Sequence, residues 1–406
     1  MAKRAKTSQV KQWFSAPKNA LSSKGRLFTF STGFDMPFFI LLILVLAVGL
    51  VCLYSASFAY SYYRNGGDSY HYIKRQLIYA LLGVAVMLVV STVDYHILHR
   101  FAWWIMFGSW GLLLLVMALP TIQNVHRWIR LGPIQIQPSE IAKFAIILLF
   151  AHLISQYHQN MKDPRKGFWP FMVILGVTCA LVVIEPHLSG TILLFAIGMV
   201  MLFIGGTRWR YLGLVLGAAV VGAVVLVVFL GYEQDRIDVW LDPVGVYTSD
   251  IVYDSGQTGR DAAWQTVQSL YAIGSGGLMG EGLGNSRQKH SFLPEPQNDF
   301  IFSIVCEELG FVGAVLIILL FAALVWRGFV VGMRAPDKFG SMLAIGLIAQ
   351  IGIQVVFNLA VVTNSFPNTG ISLPFFSYGG SSLIMLLAQM GVILSISRQS
   401  KQQEGG

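Results

Sequence analysis

Residues 36–56 read MPFFILLILVLAVGLVCLYSA, 21 residues without one charged side chain. A hydrocarbon core about 30 Å thick is crossed by roughly 20 apolar residues in a helix, so this stretch predicts a transmembrane helix. Nine further stretches of similar character lie at about 76–93, 103–120, 140–157, 168–185, 189–205, 211–231, 300–326, 340–362 and 379–397. The fifth and sixth form a tight hairpin, separated only by Glu185-Pro186-His187-Leu188. Backbone groups in lipid must be satisfied within their own segment, which makes helices the default. Ten-residue alternation of the β-barrel kind is absent from the sequence. The expected fold is all-α: a polytopic membrane protein of about ten transmembrane helices.

Composition agrees. Charged residues are 12% of the 406 and hydrophobic residues 55%, whereas a soluble domain carries about 25% charged residues. Too few charges exist to build a water-facing surface, to sustain disorder or to bind nucleic acid, despite a net charge of +8. Cys52, Cys179 and Cys306 all lie in apolar stretches without CxxC spacing, so they indicate neither a disulfide framework nor a zinc site.

Lysine and arginine set the orientation. The first 35 residues hold seven, Lys3, Arg4, Lys6, Lys11, Lys18, Lys24 and Arg26, and alternation of ten spans puts 18 on that side against 9 on the other. Both termini are expected in the cytoplasm. Residues 1–35 then read as a basic cytoplasmic tail, 36–398 as the membrane domain and 399–406 as a C-terminal cytoplasmic tail. The tail is no secretory signal peptide by its pattern. It is either a solvated arm that fixes topology or a binder of anionic lipid.

The acids are concentrated elsewhere. Residues 232–299, a 68-residue outer loop, carry ten of the twenty: Glu233, Asp235, Asp238, Asp242, Asp250, Asp254, Asp261, Glu281, Glu295 and Asp299. A loop of this length is functional or disordered. The helical spacing of Trp264, Val267, Leu270, Tyr271 and Ile273 predicts an ordered, functional one. The glycine-rich run Gly274–Ser286 that follows is no Walker loop. It reads as turns that need positive φ or as backbone amides approaching a polar ligand.

Asp299 stands just before Phe300-Ile301-Phe302, at the outer mouth of the eighth span. It reads as a helix N-cap or as a shielded carboxylate within reach of a headgroup. Glu307 and Glu308 lie deeper, where ionisable groups default to functional or interior-facing roles. Helical geometry leaves Glu307 as the one able to share a cavity with Asp299. Glu140 and Lys143 share a face at the start of the fourth span, as an ion pair or with the lysine as a phosphate ligand. Lys74, Arg75, Arg127 and Arg130 also sit at outer headgroup level. Cations on that side suggest an anionic outer ligand such as a lipid diphosphate. Of the eight histidines only His152 falls within a predicted span, where it reads as a packed residue.

Several stretches resemble the SEDS family (shape, elongation, division and sporulation), in order and over about residues 36–398. They are Ile136-Gln137-Pro138-Ser139-Glu140 with Lys143, Gln268–Gly274, Gly282–Lys289, Leu293-Pro294-Glu295, Asp299–Phe302, Glu307-Glu308-Leu309-Gly310 and Leu373–Ser382. Ala335-Pro336-Asp337 and Phe339-Gly340-Ser341 favour the FtsW and SpoVE branch over RodA. The resemblance implies a ten-span peptidoglycan glycosyltransferase in the bacterial plasma membrane, at the division septum or in sporulation. It would polymerise lipid II into glycan on undecaprenyl diphosphate at the outer face. A cognate class B penicillin-binding protein and divisome proteins are the implied partners. It further implies Asp299 as general base with inversion at the sugar. Arg75, Arg127, Glu140, Lys143, Glu307, Ser377, Gly379 and Gly380 become the substrate-binding residues. A divalent cation such as Mg2+ could share the diphosphate, although no ligand cluster demands one. The family's Gln-Pro-Asp-Leu-Gly-Thr is here Glu185-Pro186-His187-Leu188-Ser189-Gly190-Thr191, Thr369 stands where many division-type members carry Lys, and about 244–263 looks inserted. The competing expectation is a lipid II flippase with a polar path through the bundle. A recruiting scaffold ranks last, since it would not need charges in the membrane.

Overall fold

The computed structural model describes residues 33–119, 127–131, 134–185, 187–230, 234–253 and 256–404. The basic tail to residue 32 lies outside the described residues, as do His126, Pro186, Glu233, Asp254 and the last two residues. Helices form at all ten predicted places. They are α1 (Met36–Arg64), α2 (His71–Thr92), α3 (His96–Ala118), α4 (Pro138–Tyr157), α5 (Trp169–Ile184), α6 (Leu188–Ile204) and α7 (Trp209–Leu230). After the outer-loop helices α8 (Gln234–Leu241), α9 (Pro243–Thr248) and α10 (Gly259–Ser275) come α11 (Ile301–Met333), α12 (Lys338–Val362) and α13 (Gly380–Glu404). Eight of them are long and apolar enough to cross a membrane, while α6 and the stretch Trp209–Gly222 of α7 are apolar but shorter.

Three differences from the sequence reading have local causes. A two-stranded antiparallel hairpin, β1 (Ile129–Leu131) with β2 (Ile134–Ile136), pairs Ile129 with Ile136 just before α4. It qualifies the all-α expectation only between α3 and α4. Helices α2 and α3 begin well before their apolar runs, so His71, His96 and His99 fall within helices alongside His152. Polar first turns continue a helix beyond the hydrophobic window that revealed it. Helix α11 is interrupted at Gly310, whose φ of 66° and ψ of −169° lie in a region open essentially to glycine.

Helix α4 is the axis of the bundle. Nearly every residue from Ala142 to Ile154 is buried, as expected of a helix apolar all round. It packs against α3, α6 and α12, while α2 lies along α13 and α11 along α12. Its first turn therefore carries Glu140 and Lys143 into the interior rather than onto a lipid face. At the opposite end Asp35 caps α1 by accepting from Phe38 N at 2.9 Å, and pairs with Arg327 of α11 through bonds of 2.9 and 2.6 Å.

The outer loop is ordered over its described residues and has a small core of its own. Val239, Val246, Ala263 and Val267 pack together, so the apparent insertion at about 244–263 supplies α9 and the start of α10 to that core. Trp264 Nε1 donates to the carbonyl of Phe292 at 2.6 Å, and Asn364 Nδ2 to the carbonyl of Trp240 at 3.0 Å. These bonds hold the subdomain onto the segment that leads to Asp299 and onto the loop after α12.

Candidate active site

The glycine-rich run forms turns with positive φ at Gly277, Gly280, Gly282 and Gly284, and it approaches protein backbone. At the break in α11 the loop replaces the helix's own partners. Phe311 N donates to Gly277 O (2.9 Å) and Val312 N to Leu278 O (3.1 Å), while Glu281 N and Gly282 N donate to the carbonyls of Glu307 and Glu308 (both 3.0 Å). A Cβ on Gly276, Gly280 or Gly310 would collide with backbone atoms of the other strand of this splice.

Glu307 and Glu308 secure the same splice from their side chains. Glu307 accepts from Arg287 N at 2.8 Å and from the Ser286 hydroxyl. Glu308 accepts from Lys289 Nζ at 2.8 Å and from the Ser55 hydroxyl of α1, with Lys289 and Glu308 both almost wholly buried. No hydrogen bond joins Glu307 to Asp299 among the described residues, and its acceptors are occupied by the loop. The helical-wheel argument put the two on one side of a regular helix. Asp299 precedes α11, and its side chain is not placed by that wheel.

Asp299 sits in a frame built from three segments. Asn358 of α12, fully buried, donates to the carbonyls of Asp299 (2.7 Å) and Ile371 (2.8 Å). Ser377 donates to the carbonyl of Asn298 (2.8 Å) and accepts from Leu373 N (2.8 Å). Gly370, at φ 71°, brings its backbone so near that a Cβ would stand 3.2 Å from Asp299 Oδ2. Burial raises the Asp299 carboxyl to about 6, with the neighbouring charge of Glu295 adding to the shift. The side chain keeps partial access to solvent.

Arg75 reaches the same frame through Tyr378. Tyr378 N donates to the carbonyl of Gln297 at 2.8 Å, and its hydroxyl is hydrogen-bonded by Arg75. Its ring meets Tyr72 edge-on at 5.0 Å. Gln76 of α2 ties down the loop by donating to Ser377 O (3.3 Å) and accepting from Gly379 N (3.2 Å). Gly380 lies so close to the Tyr79 ring that a side chain there would not fit. Ser377, Gly379 and Gly380 thus shape the frame around Asp299 and Arg75.

A second group surrounds the start of α4. Lys143 donates to Glu140 Oε1 at 2.7 Å, with the lysine 4% exposed. Glu185 and His187 come in from the α5–α6 hairpin, and Arg127 from the segment before β1. Burial drives the His187 imidazole down to about 3, helped by the charges of Arg127 and Lys143, so it is neutral. Burial raises the Glu185 carboxyl to about 8, against the pull of Arg127. Alternation of the spans puts this group at the same end of the bundle as Asp299. Sequence reading placed Arg127, Glu140 and Lys143 here, but gave no role to Glu185, His187, Asn358 or Tyr378. An ionisable residue in a four-residue hairpin between two spans was the signal for Glu185.

Chemically, the end of the bundle offers a carboxylate poised near neutrality and a set of cations suited to an anion. Among the described residues no three His, Cys, Asp or Glu side chains converge as a metal site. The apolar cavity of about 220 Å³ between α2, α3, α4 and α13, lined by Val90, Leu98, Phe144, Met385 and Val392, takes in none of the site residues described above.

Comparison with known proteins identifies relatives of the whole chain. Residues 35–402 match the family model of FtsW, RodA and SpoVE, described as cell cycle protein. The chain is 40% identical over 383 residues to stage V sporulation protein E of Bacillus subtilis, covering 92% of this chain and 99% of that one. It is 38% identical over 375 residues to a probable peptidoglycan glycosyltransferase FtsW of Geobacter sp. strain M18, covering 91% and 98%. Among solved structures, a chain of a peptidoglycan synthase complex that coordinates polymerization and crosslinking superposes with a TM-score of 0.73 at 25% identity, covering 92% of this chain and 100% of that one. The rod shape determining protein RodA of Thermus thermophilus gives 0.62 at 26% identity, covering 90% and 97%.

Proposed function

Because the chain belongs to the FtsW, RodA and SpoVE family, we propose that it is a peptidoglycan glycosyltransferase that polymerises lipid II at the outer face of the plasma membrane. The observation that carries this reading is the Asp299 frame, in which a carboxyl raised to about 6 is fixed by Asn358 and Ser377 and linked through Tyr378 to Arg75. A base titrating just below neutrality is ionised in the cell yet strong enough to accept a proton, and such assistance contributes about 10²–10⁴-fold. Asp299 takes the proton of the acceptor's sugar hydroxyl. The hydroxyl oxygen then bonds to the donor's anomeric carbon with inversion, as the bond from that carbon to the lipid diphosphate breaks.

The diphosphate leaves as an anion, and Arg75, Arg127 and Lys143 offset its charge. Glu140 orients Lys143 through their 2.7 Å contact. Mg2+ would enter with the diphosphate as its counterion. The working assembly includes a class B penicillin-binding protein and, at the septum, divisome proteins.

A second reading, transport of lipid II, draws on the buried amides of Gln350 and Gln354 in α12 and Gln389 in α13, which carry side-chain atoms without a hydrogen-bond partner among the described residues. Transporters place such groups near the midplane. One experiment separates the two: polymerisation of lipid II by the protein co-purified with its partner, the partner's transpeptidase blocked, comparing wild type with Asp299→Ala. Long glycan from wild type and none from the folded variant supports the transferase. No glycan from either favours transport.

A further inference from the structure

Two turns at the end of the bundle away from Asp299 are joined in space. One links α4 to α5 and the other links α6 to α7. The first folds back on itself through a 3₁₀ turn (His158–Asn160) and a π turn (Pro164–Phe168), with Gly167 so near Asn160 and Met161 that a Cβ there would strike their backbone. The ring of Phe168 stacks on that of Tyr211 at 5.4 Å and 29°. A Cβ on Gly205, at the end of α6, would stand 2.9 Å from Ile154 of α4. The two turns are therefore held as one surface.

That surface is basic. It carries Lys162, Arg165, Lys166, Arg208 and Arg210, all exposed, against a single acid, Asp163. Asp163 is engaged with the backbone, accepting from Arg165 N at 3.0 Å. None of the five cations forms an ion pair among the described residues. Elsewhere at this end charges are matched: Arg327 meets Asp35 at 2.6 Å, and His96 lies between Asp94 (2.7 Å) and Asp337 (3.0 Å). Cations beside membrane helices help to set topology, but that effect counts charges along the chain and does not require two turns to meet. Gathering like charges opposes folding, and a bound anion offsets that cost.

What flanks the cations identifies the anion. Trp169 is the first residue of α5 and Trp209 the first of α7, and they are 60% and 73% exposed. Indole rings take such positions at the level of lipid headgroups, so the cations beside them stand at the depth of a phosphate. An acidic protein segment would satisfy the cations, but it has no need of two exposed indoles at the starts of membrane helices. We propose that the α4–α5 and α6–α7 turns together form a binding surface for an anionic phospholipid, its phosphate drawn to the five cations and its chains lying against Trp169 and Trp209. The glycosyltransferase reading of the Asp299 end puts this surface in the cytoplasmic leaflet, while the surface itself is independent of that reading.

The test is native mass spectrometry of the purified full chain in a neutral detergent, offered equal amounts of dioleoyl phosphatidylglycerol and dioleoyl phosphatidylcholine. It involves no turnover and no choice of membrane face, so a failure of glycan synthesis leaves it untouched. The first lipid retained should be phosphatidylglycerol by roughly tenfold, and raising the ammonium acetate from about 0.05 to 0.5 M should remove most of that preference. Replacing Lys162, Arg165, Lys166, Arg208 and Arg210 together by Gln should abolish it. Replacing Arg100, Arg334 and Lys338, three exposed cations elsewhere at this end, by Gln should leave it intact. Should the five-site variant not fold, Arg208→Gln with Arg210→Gln should lower the preference severalfold. Equal retention of the two lipids by the wild type overturns the proposal and leaves the cations to an acidic protein segment. A preference that survives in the folded patch variants, or that is lost equally in the Arg100, Arg334 and Lys338 variant, overturns it as well, since the lipid would then be answering to charge in general.

Discussion

The side-chain amide of Asn358 donates to the backbone carbonyl of Asp299 at 2.7 Å and to that of Ile371 at 2.8 Å. One buried residue on α12 thus fixes the candidate base and the loop that carries Gly370 against it. Asn358→Ala would leave two carbonyls without this donor, and each buried group so orphaned costs roughly 1–3 kcal/mol. We expect thermal unfolding at lower temperature and a kcat for glycan synthesis lowered at least tenfold, with KM for lipid II changed less. A variant of wild-type kcat would show that Asp299 needs no such support.

Tyr378 makes the corresponding link to the substrate side. Its backbone is tied to Gln297 and its hydroxyl to Arg75. Tyr378→Phe keeps the ring against Tyr72 and removes only the bond to Arg75. A hydrogen bond to a charged group is worth about 1.5–3 kcal/mol, so KM for lipid II should rise roughly tenfold or more while kcat holds. Steady-state kinetics at several lipid II concentrations would decide, and a fall confined to kcat would contradict the positioning role.

Ten apolar runs gave the ten helices because a membrane helix must be apolar along its length, a constraint read one residue at a time. The Glu140–Lys143 pair was legible for a similar reason, being three residues apart on one helix. What stayed hidden depends on contacts distant in sequence. Glu307 reads as a cavity group and Glu308 as a functional or interior-facing one, yet both serve a loop about twenty residues upstream, which inserts at the Gly310 break. Asn358 and Tyr378 carry no local signature, because their partners lie 59 residues away for Asn358 and on other elements for Tyr378.

The splice itself can be tested at Gly310. Its φ of 66° and ψ of −169° exclude a side chain without strain, and a Cβ would also strike the Gly280 backbone. Strain of this kind costs about 1–3 kcal/mol before the clash is counted. Gly310→Ala should expose the 276–289 loop to protease and lower the unfolding temperature, while Gly108→Ala, at a helical glycine of α3 with open space around it, serves as the comparison. Equal protease resistance in the Gly310 variant and wild type would sink the splice as a structural necessity.

Lys289 and Glu308 lie 2.8 Å apart with side chains 3% and 2% exposed. Removing one partner of such a pair costs roughly 3–5 kcal/mol, because the other charge is left buried, whereas apolar replacement of both is often near neutral. Lys289→Met should therefore destabilise strongly, and adding Glu308→Met should recover most of the loss. The Ser55 hydroxyl, which also donates to Glu308, limits that recovery. A double variant no better than the single one would mean that the pair carries its weight through the loop's shape rather than through charge.

Asp299 should be a site where activity and stability oppose each other. Its carboxyl is raised by burial from 3.8 to about 6. For an acid with a raised folded pKa, the folded state holds its proton more tightly than the unfolded state does. That contribution is fully present below about pH 4 and is lost as pH rises through about 6. At neutral pH the ionised group is a liability of roughly 1–3 kcal/mol, the range allowing for its partial solvent access. Asp299→Asn keeps the shape and removes the charge. It should abolish polymerisation and raise the unfolding temperature at pH 7.5, with the gain shrinking to nothing as pH is lowered toward 4. In wild type the rate should climb through about pH 6 as the base ionises. An Asn variant no more stable than wild type at pH 7.5 would mean that the carboxylate is better solvated than its surroundings imply, and the acid limb of the rate profile should then lie nearer pH 4.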